Sequence, residues 1–153
     1  MAVPISTRCF ALVVVRDGDR FALVQEADTK HGYLPGGRVE PGESFFEAAV
    51  RETQEEAGLD VSPTGVVRIE HSPLADGTAR LRVIFAGRPP QPGAPLKTRA
   101  DEHSDQAKWF TLEEAQKLAL RGNDVLAALH HVRDGGSVHP LTLLTAEGAP
   151  YDG

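Results

Sequence analysis

The sequence holds one cysteine, Cys9, in 153 residues, so no intrachain disulfide can form and the expected compartment is a reducing one, the cytoplasm. Long apolar runs are also missing. No stretch nears the ~20 residues a membrane-spanning helix needs, so no membrane partner is expected. Met1 to Thr7 has no cationic start followed by an apolar block, and no secretory signal is expected. There is no surplus of positive charge either. With 16 Lys and Arg against 22 Asp and Glu, the net charge of −6 speaks against a sequence-independent duplex binder, and nucleic acid is not an expected partner. A small anionic substrate stays open to such a chain if a divalent cation supplies the positive charge. What is present is ordinary globular usage, 41% apolar and 25% charged, which excludes disorder and fibrous classes. The length predicts one domain over 1–153.

Arg8 to Val15 and Phe21 to Val24 are apolar runs separated by Arg16-Asp17-Gly18-Asp19-Arg20, which predicts strand, turn, strand. A glycine-rich stretch follows, His31 to Gly37. Ser44 and Glu47 then have the spacing of a capping box, and Phe46, Ala49, Val50, Thr53 and Ala57 recur at helical spacing as the expected core face, with Gly58 as the stop. Val66 to Ile69 and Ala79 to Ala86 read as strands, with Leu81, Val83 and Phe85 on the expected buried face. Arg88 to Asp105 contains four prolines and no period, so a functional or mobile loop is expected. Gln106 to Phe110 reads as a short strand. Thr111 and Glu114 open a helix to about Leu120, Asn123 or Asp124 caps a last helix to about His131, and a Gly-rich extension runs from Asp134. This order predicts an α/β protein, a mixed sheet with helices packed on it.

Chemistry concentrates between Gly36 and Leu59. Glu52, Glu55 and Glu56 lie three and four residues apart, which places them on one helix face. As bare structure this arrangement is unfavourable: each close like-charge pair costs about 0.2–0.5 kcal/mol. Acids in the last turns also oppose the helix dipole, at about 0.3–1 kcal/mol each. An exposed acidic face is the plain alternative. A divalent cation would turn both penalties into a use, because carboxylate oxygens are the donors Mg²⁺ and Mn²⁺ prefer. Gly36 and Gly37 precede the helix and let backbone approach that face, and Arg51 can orient carboxylates through bidentate bonds.

Gly37, Glu43 and the run Arg51-Glu52-Thr53-Gln54-Glu55-Glu56-Ala57-Gly58-Leu59 resemble the Nudix box over residues 37–59. Every fixed position matches; Thr53 stands where the pattern has a hydrophobic residue. The resemblance implies a Nudix fold, an α/β/α sandwich with a mixed sheet. It also implies Mg²⁺- or Mn²⁺-dependent hydrolysis of a nucleoside diphosphate linked to another group. Carried over by position, Glu52, Glu55, Glu56 and the backbone carbonyl of Gly36 would hold metal. Glu43 and Arg51 would orient the glutamates, and Glu52 would be a candidate base. Shorter matches (Tyr33-Leu34-Pro35, Leu96-Lys97-Thr98, Leu120-Arg121, His139-Pro140-Leu141) are similar to a branch of the family that hydrolyses oxidised guanine nucleoside diphosphates. In many members a loop glutamate six residues before a tryptophan such as Trp109 is a further ligand or base. His103 stands there in this chain, and Glu102 is the substitute one residue away.

The expected partner is therefore a small nucleotide, taken up by a monomer or homodimer. A competing enzyme reading is an ADP-ribose or nucleotide-sugar pyrophosphatase. A reading from another class is a non-catalytic nucleotide-binding module, which retention of every box acid disfavours. Arg38, Arg80, Arg82 and Lys97 are candidate phosphate contacts. Tyr33 and Phe85 could stack on a base, although packing on the sheet is the expected role, and Cys9 reads as a core residue.

Overall fold

Strand β1 (Thr7–Asp17) is the axis of the computed structural model, which describes residues 2–102 and 106–151. It pairs in parallel with β6 (Ala79–Arg88) and antiparallel with β2 (Arg20–Gln25) and β4 (Gly36–Arg38). The order β3-β2-β1-β6-β5 is completed by β3 (Gly32–Tyr33), β5 (Ser62–Pro73) and β7 (Gln106–Thr111), the last paired with β2. The sheet is mixed, as expected. The β1–β2 turn is tight, and Gly18 adopts the left-handed φ of 61° that its place in the turn requires.

Alternation along β1 divides the core. Ala11, Val13 and Val15 point into a cluster with Ala48, Ala49 and Ala57 of α1 (Phe45–Ala57), while Leu12 and Val14 point into a cluster with Ala115, Val125 and Leu129. Those last residues belong to α2 (Leu112–Gln116) and α3 (Asp124–Arg133). Helices thus cover both faces, giving the α/β/α sandwich. The far half of β6 is buried on both sides, so Ile84 is as inaccessible as Val83 and Phe85, and the expected one-sided pattern fails there. Arg80 and Arg82 lie in the first half of the strand and line an open cleft instead.

The ends of α1 follow the sequence. Ser44 Oγ accepts the Glu47 N–H at 3.1 Å, and Gly58 closes the helix with a left-handed φ of 65° and its N–H on Gln54 O. The expected core stripe is rotated. Ala48, Ala49, Thr53, Glu56 and Ala57 face inward, whereas Phe46 is 42% exposed and meets Phe85 only edge-on. Small inward residues let α1 lie close to the sheet. Thr53 is accommodated because its hydroxyl donates to Ala49 O at 2.7 Å inside the helix.

The second capping box, Thr111 with Glu114, forms in both directions. Yet α2 stops at Gln116, short of the expected Leu120, because the chain beyond it bonds elsewhere: Gly32 N–H donates to Ala119 O and Arg121 N–H to Gly32 O. The proline-rich loop is pinned rather than loose. Trp109 Nε1 donates to Ala94 O at 2.9 Å, Gly93 N–H to Asp17 Oδ2 at 2.8 Å, and Lys97 N–H to Ala57 O at 2.8 Å. His103 and Asp105 lie outside the described residues. The C-terminal extension folds back: Val66 and His139 exchange two backbone bonds of 2.8 Å, and Leu141 and Leu144 pack on the α1-side core.

Leu129 is fully buried where α3 meets the sheet. Leu129→Ala should lower unfolding free energy by about 2–5 kcal/mol through the cavity it leaves, read by urea denaturation.

Candidate active site

Helix α1 presents its acids to the glycine strand β4, and Arg51 organises them. Its Nε and Nη2 bind Glu43 Oε2 and Oε1 at 2.7 and 2.9 Å, a bidentate pair, and Nη2 also donates to Arg38 O at 2.9 Å. Its Nη1 reaches Glu52 Oε1 at 3.0 Å and Glu55 Oε2 at 3.2 Å, with Glu40 Oε1 at 3.7 Å. One guanidinium therefore holds Glu43, Glu52 and Glu55 together. The contact with Glu43 raises the Arg51 pKa further and holds the Glu43 carboxyl below the usual carboxylate range. Glu43 is itself fixed by the Glu40 N–H on its Oε1 at 3.0 Å.

Glu56 turns inward and is 8% exposed. Burial pushes its pKa up from 4.5 to about 8; the nearby Glu52 charge adds to this, and the adjacent Gly36 backbone and Tyr33 hydroxyl offset part of it. Glu52 lies against Gly37, where a Cβ would stand 2.5 Å from its Oε1. A Cβ on Gly36 would meet Ala11 O at 2.4 Å, so that position has no room for a side chain, whereas at Gly37 the obstacle is only the movable Glu52 carboxylate. At the C-terminal end of α1 the missing cation is supplied from outside the helix: Lys97 Nζ donates to Glu55 O at 3.2 Å and pairs with Asp101.

The expected residues Gly36, Glu43, Arg51, Glu52, Glu55 and Glu56 are thus brought together. Glu102 is exposed on the loop before β7. Among the described residues no three His, Cys, Asp or Glu side chains converge, as they stand, to hold a metal ion. Arg51 lies between Glu55 and Glu52, and Glu56 is turned toward Tyr33 and Gly36. The donor set still fits a hard cation. It consists of carboxylate oxygens, one of them buried beside a second negative charge, against glycines that leave the approach open.

The other candidate residues divide. Phe85 is 1% exposed inside the core, its expected packing role, and is unavailable to a base. Lys97 is engaged as described, and Arg82 pairs with Asp124 at 2.9 Å and Glu70 at 3.4 Å. Cys9 is half-buried in β1. Tyr33, read as a stacking or packing residue, also contacts Glu56. Arg121, whose guanidinium sits 4.0 Å from the Tyr33 ring centroid, had no signal in the sequence beyond its branch match.

A family model for the NUDIX domain matches residues 6–129. The chain belongs to the Nudix hydrolase family. Such hydrolases generally use divalent metal ions. The chain is 36% identical over 147 residues to the mouse (Mus musculus) 8-oxo-dGDP phosphatase NUDT18, covering 88% of this chain and 42% of that protein. It therefore spans less than half the length of that relative. Phosphatase NudJ of Shigella boydii is 29% identical, with 92% of each chain covered. A solved Nudix hydrolase from Nitrosomonas europaea superposes with a TM-score of 0.78 at 26% identity, covering 94% of this chain and all of that one.

The raised Glu56 pKa makes the metal-free Nudix fold pH-sensitive in a defined window. The folded chain keeps this proton to about pH 8, while the unfolded chain loses it near 4.5, so the associated stability is complete below 4.5 and is lost as pH rises through 8. Glu43, with its lowered pKa, acts in the opposite sense and only at acidic pH. Urea unfolding in chelator at pH 5 and pH 8 should show a decline that Glu56→Gln removes. An equal decline in both proteins would contradict the assignment.

Proposed function

We propose that this chain hydrolyses a phosphoanhydride bond of a nucleoside diphosphate derivative with Mg²⁺ or Mn²⁺, at the site formed by α1 and β4. Glu52, Glu55, Glu56 and the Gly36 carbonyl would hold the ion, and Glu43 and Arg51 orient the glutamates. The observation that carries this reading is the single guanidinium of Arg51 holding Glu43, Glu52 and Glu55, beside a buried Glu56 whose negative charge is costly without a cation.

Bound there, a divalent ion would neutralise phosphate oxygens and lower the pKa of the attacking water. The chain's own contribution is positional. Arg51 offsets repulsion among the acids and keeps Glu52 and Glu55 on the β4 side of the helix. Gly37 admits the Glu52 carboxylate against the backbone, close enough to the glycine turn for Glu52 to accept a proton from water entering there. Glu102, exposed on its loop, is the second candidate base. Hydrolysis of a nucleoside diphosphate would break the bridging P–O bond, with water's oxygen on one product phosphate and its protons shared between the base and the products.

Oxidised guanine nucleoside diphosphates are the first substrates to test, on the likeness to a relative named for 8-oxo-dGDP over 88% of this chain. A nucleotide-pool role in the cytoplasm belongs to the same reading. A hydrolysis panel of oxidised and plain nucleoside di- and triphosphates, ADP-ribose and nucleotide sugars, read by chromatography as nucleoside monophosphate formed, should give Mg²⁺-dependent hydrolysis, strongest with the oxidised diphosphate. Preference for ADP-ribose or a nucleotide sugar would instead support the competing enzyme reading. Glu52→Gln should lower kcat by about 100- to 10,000-fold. Hydrolysis unchanged in Glu52→Gln and in Glu56→Gln would leave only a nucleotide-binding module. Gly37→Ala should keep the fold, because the flexible Glu52 side chain can move aside, yet lose most activity.

A further inference from the structure

A cleft of about 370 Å³ opens on the α3 side of the sheet, a size suited to a small organic ligand. Gly36 and Gly37 line it, so it adjoins the strand that faces the glutamates of α1. Leu12, Leu34 and Val125 give it apolar walls. Two arginines of the lining lie over aromatic rings: Arg121 stands 4.0 Å from the Tyr33 centroid and Arg80 5.0 Å from that of Phe10. Arginine and aromatic planes are the surfaces on which nucleobases stack.

One acid lines this cleft among the described residues, Asp124, the first residue of α3. It accepts Arg82 Nη2 on its Oδ2 at 2.9 Å. Arg82 is held from the other side by Glu70, 3.4 Å from its Nε, and its strand register sets it beside Phe10 on β1. Asp124 Oδ1 has no hydrogen-bond partner among the described residues. It stands 2.9 Å from where a Cβ on Gly122 would lie, and Gly122 has the left-handed φ of 82° that suits glycine. A fixed guanidinium and a carboxylate with a free oxygen therefore lie side by side in a cleft that is otherwise apolar or stacking.

We propose that Arg82 and Asp124 are the specificity-determining pair for a guanine base held in this cleft; the direction in which the nucleotide enters rests on hydrolysis taking place at α1 and β4. Guanine presents, in a row, the acceptor O6 and the donors N1–H and N2–H. The pair presents the complementary row, a guanidinium donor followed by two carboxylate oxygens. Adenine places an amino donor where guanine has O6 and an acceptor at N1, so donor would meet donor and acceptor would meet acceptor. The C8 position lies on another edge of the base, and the contact is the same for plain and oxidised guanine. Arg82, a candidate phosphate contact by sequence, is in this reading a base contact.

The test is titration of the isotope-labelled full chain with GDP, IDP, ADP and inorganic pyrophosphate in chelator, followed by NMR shifts, for wild type, Asp124→Ala, Arg82→Gln and Arg80→Ala. Circular dichroism melts confirm that each variant folds. Wild type should bind GDP roughly 5- to 150-fold more tightly than ADP. IDP, which lacks the 2-amino group, should fall between them. Asp124→Ala and Arg82→Gln should each bring GDP close to ADP and leave pyrophosphate binding unweakened. Arg80→Ala removes a stacking surface and should weaken GDP and ADP alike. Equal binding of GDP and ADP by wild type, or of GDP and IDP, would overturn the inference. So would a loss of pyrophosphate binding in Arg82→Gln as large as its loss of GDP, which would make Arg82 a phosphate contact. Hydrolysis of GDP with Mg²⁺ is followed in parallel as GMP formed. If wild type forms none yet prefers GDP through Asp124, the hydrolase reading fails and the guanine pair stands.

Discussion

Four carboxylates crowd the start and one face of a thirteen-residue helix, and the contact that makes this tolerable is the guanidinium of Arg51. Glu43 is bound in a fork and Glu52 and Glu55 by single bonds, all from one side chain. Without it, like charges at three- and four-residue spacing would push the acids apart and off the β4 side. Glu56 is outside this arrangement. It points inward, and the offsets available to it are a tyrosine hydroxyl and a glycine amide, which leave its pKa raised. Three acids are thus stabilised by an arginine, while a fourth remains costly to ionise.

The surrounding fold supplies what this helix needs. Alanines at 48, 49 and 57 bring it close to the sheet, and the glycines of β4 let carboxylate and backbone meet where a Cβ would collide. The loop after β6 is tied at Gly93, Ala94 and Lys97, and this last tie places an ammonium on the carbonyl end of α1. The prolines that break any regular structure in the loop also shorten the conformations it must give up on docking.

Much of this was readable in the sequence, where local rules decide the outcome. The spacing of Glu52, Glu55 and Glu56 fixes a shared helix face. Ser44, Gly58, Thr111 and Glu114 set helix ends through bonds between near neighbours, and a hydrophobic run broken by Asp17-Gly18 forms a hairpin. Non-local bonding defeated the rest. The α1 stripe was misjudged by one position because Phe46 is the larger apolar residue, while close packing favours small ones and turns Glu56 inward. Helix α2 ends early because Gly32 takes the hydrogen bonds of residues 119–121. The Tyr33–Glu56 and Arg121–Tyr33 contacts join segments far apart in the chain, and no periodicity encodes them.

Anomalous diffraction from crystals soaked in Mn²⁺ tests the central claim most directly. A strong peak should appear between α1 and β4, coordinated by Glu52 and Glu56 with the Gly36 carbonyl, and Glu55 should have turned from Arg51 toward the ion. Absence of a peak at that place at saturating Mn²⁺, with Arg51 still holding Glu52 and Glu55, would contradict the account.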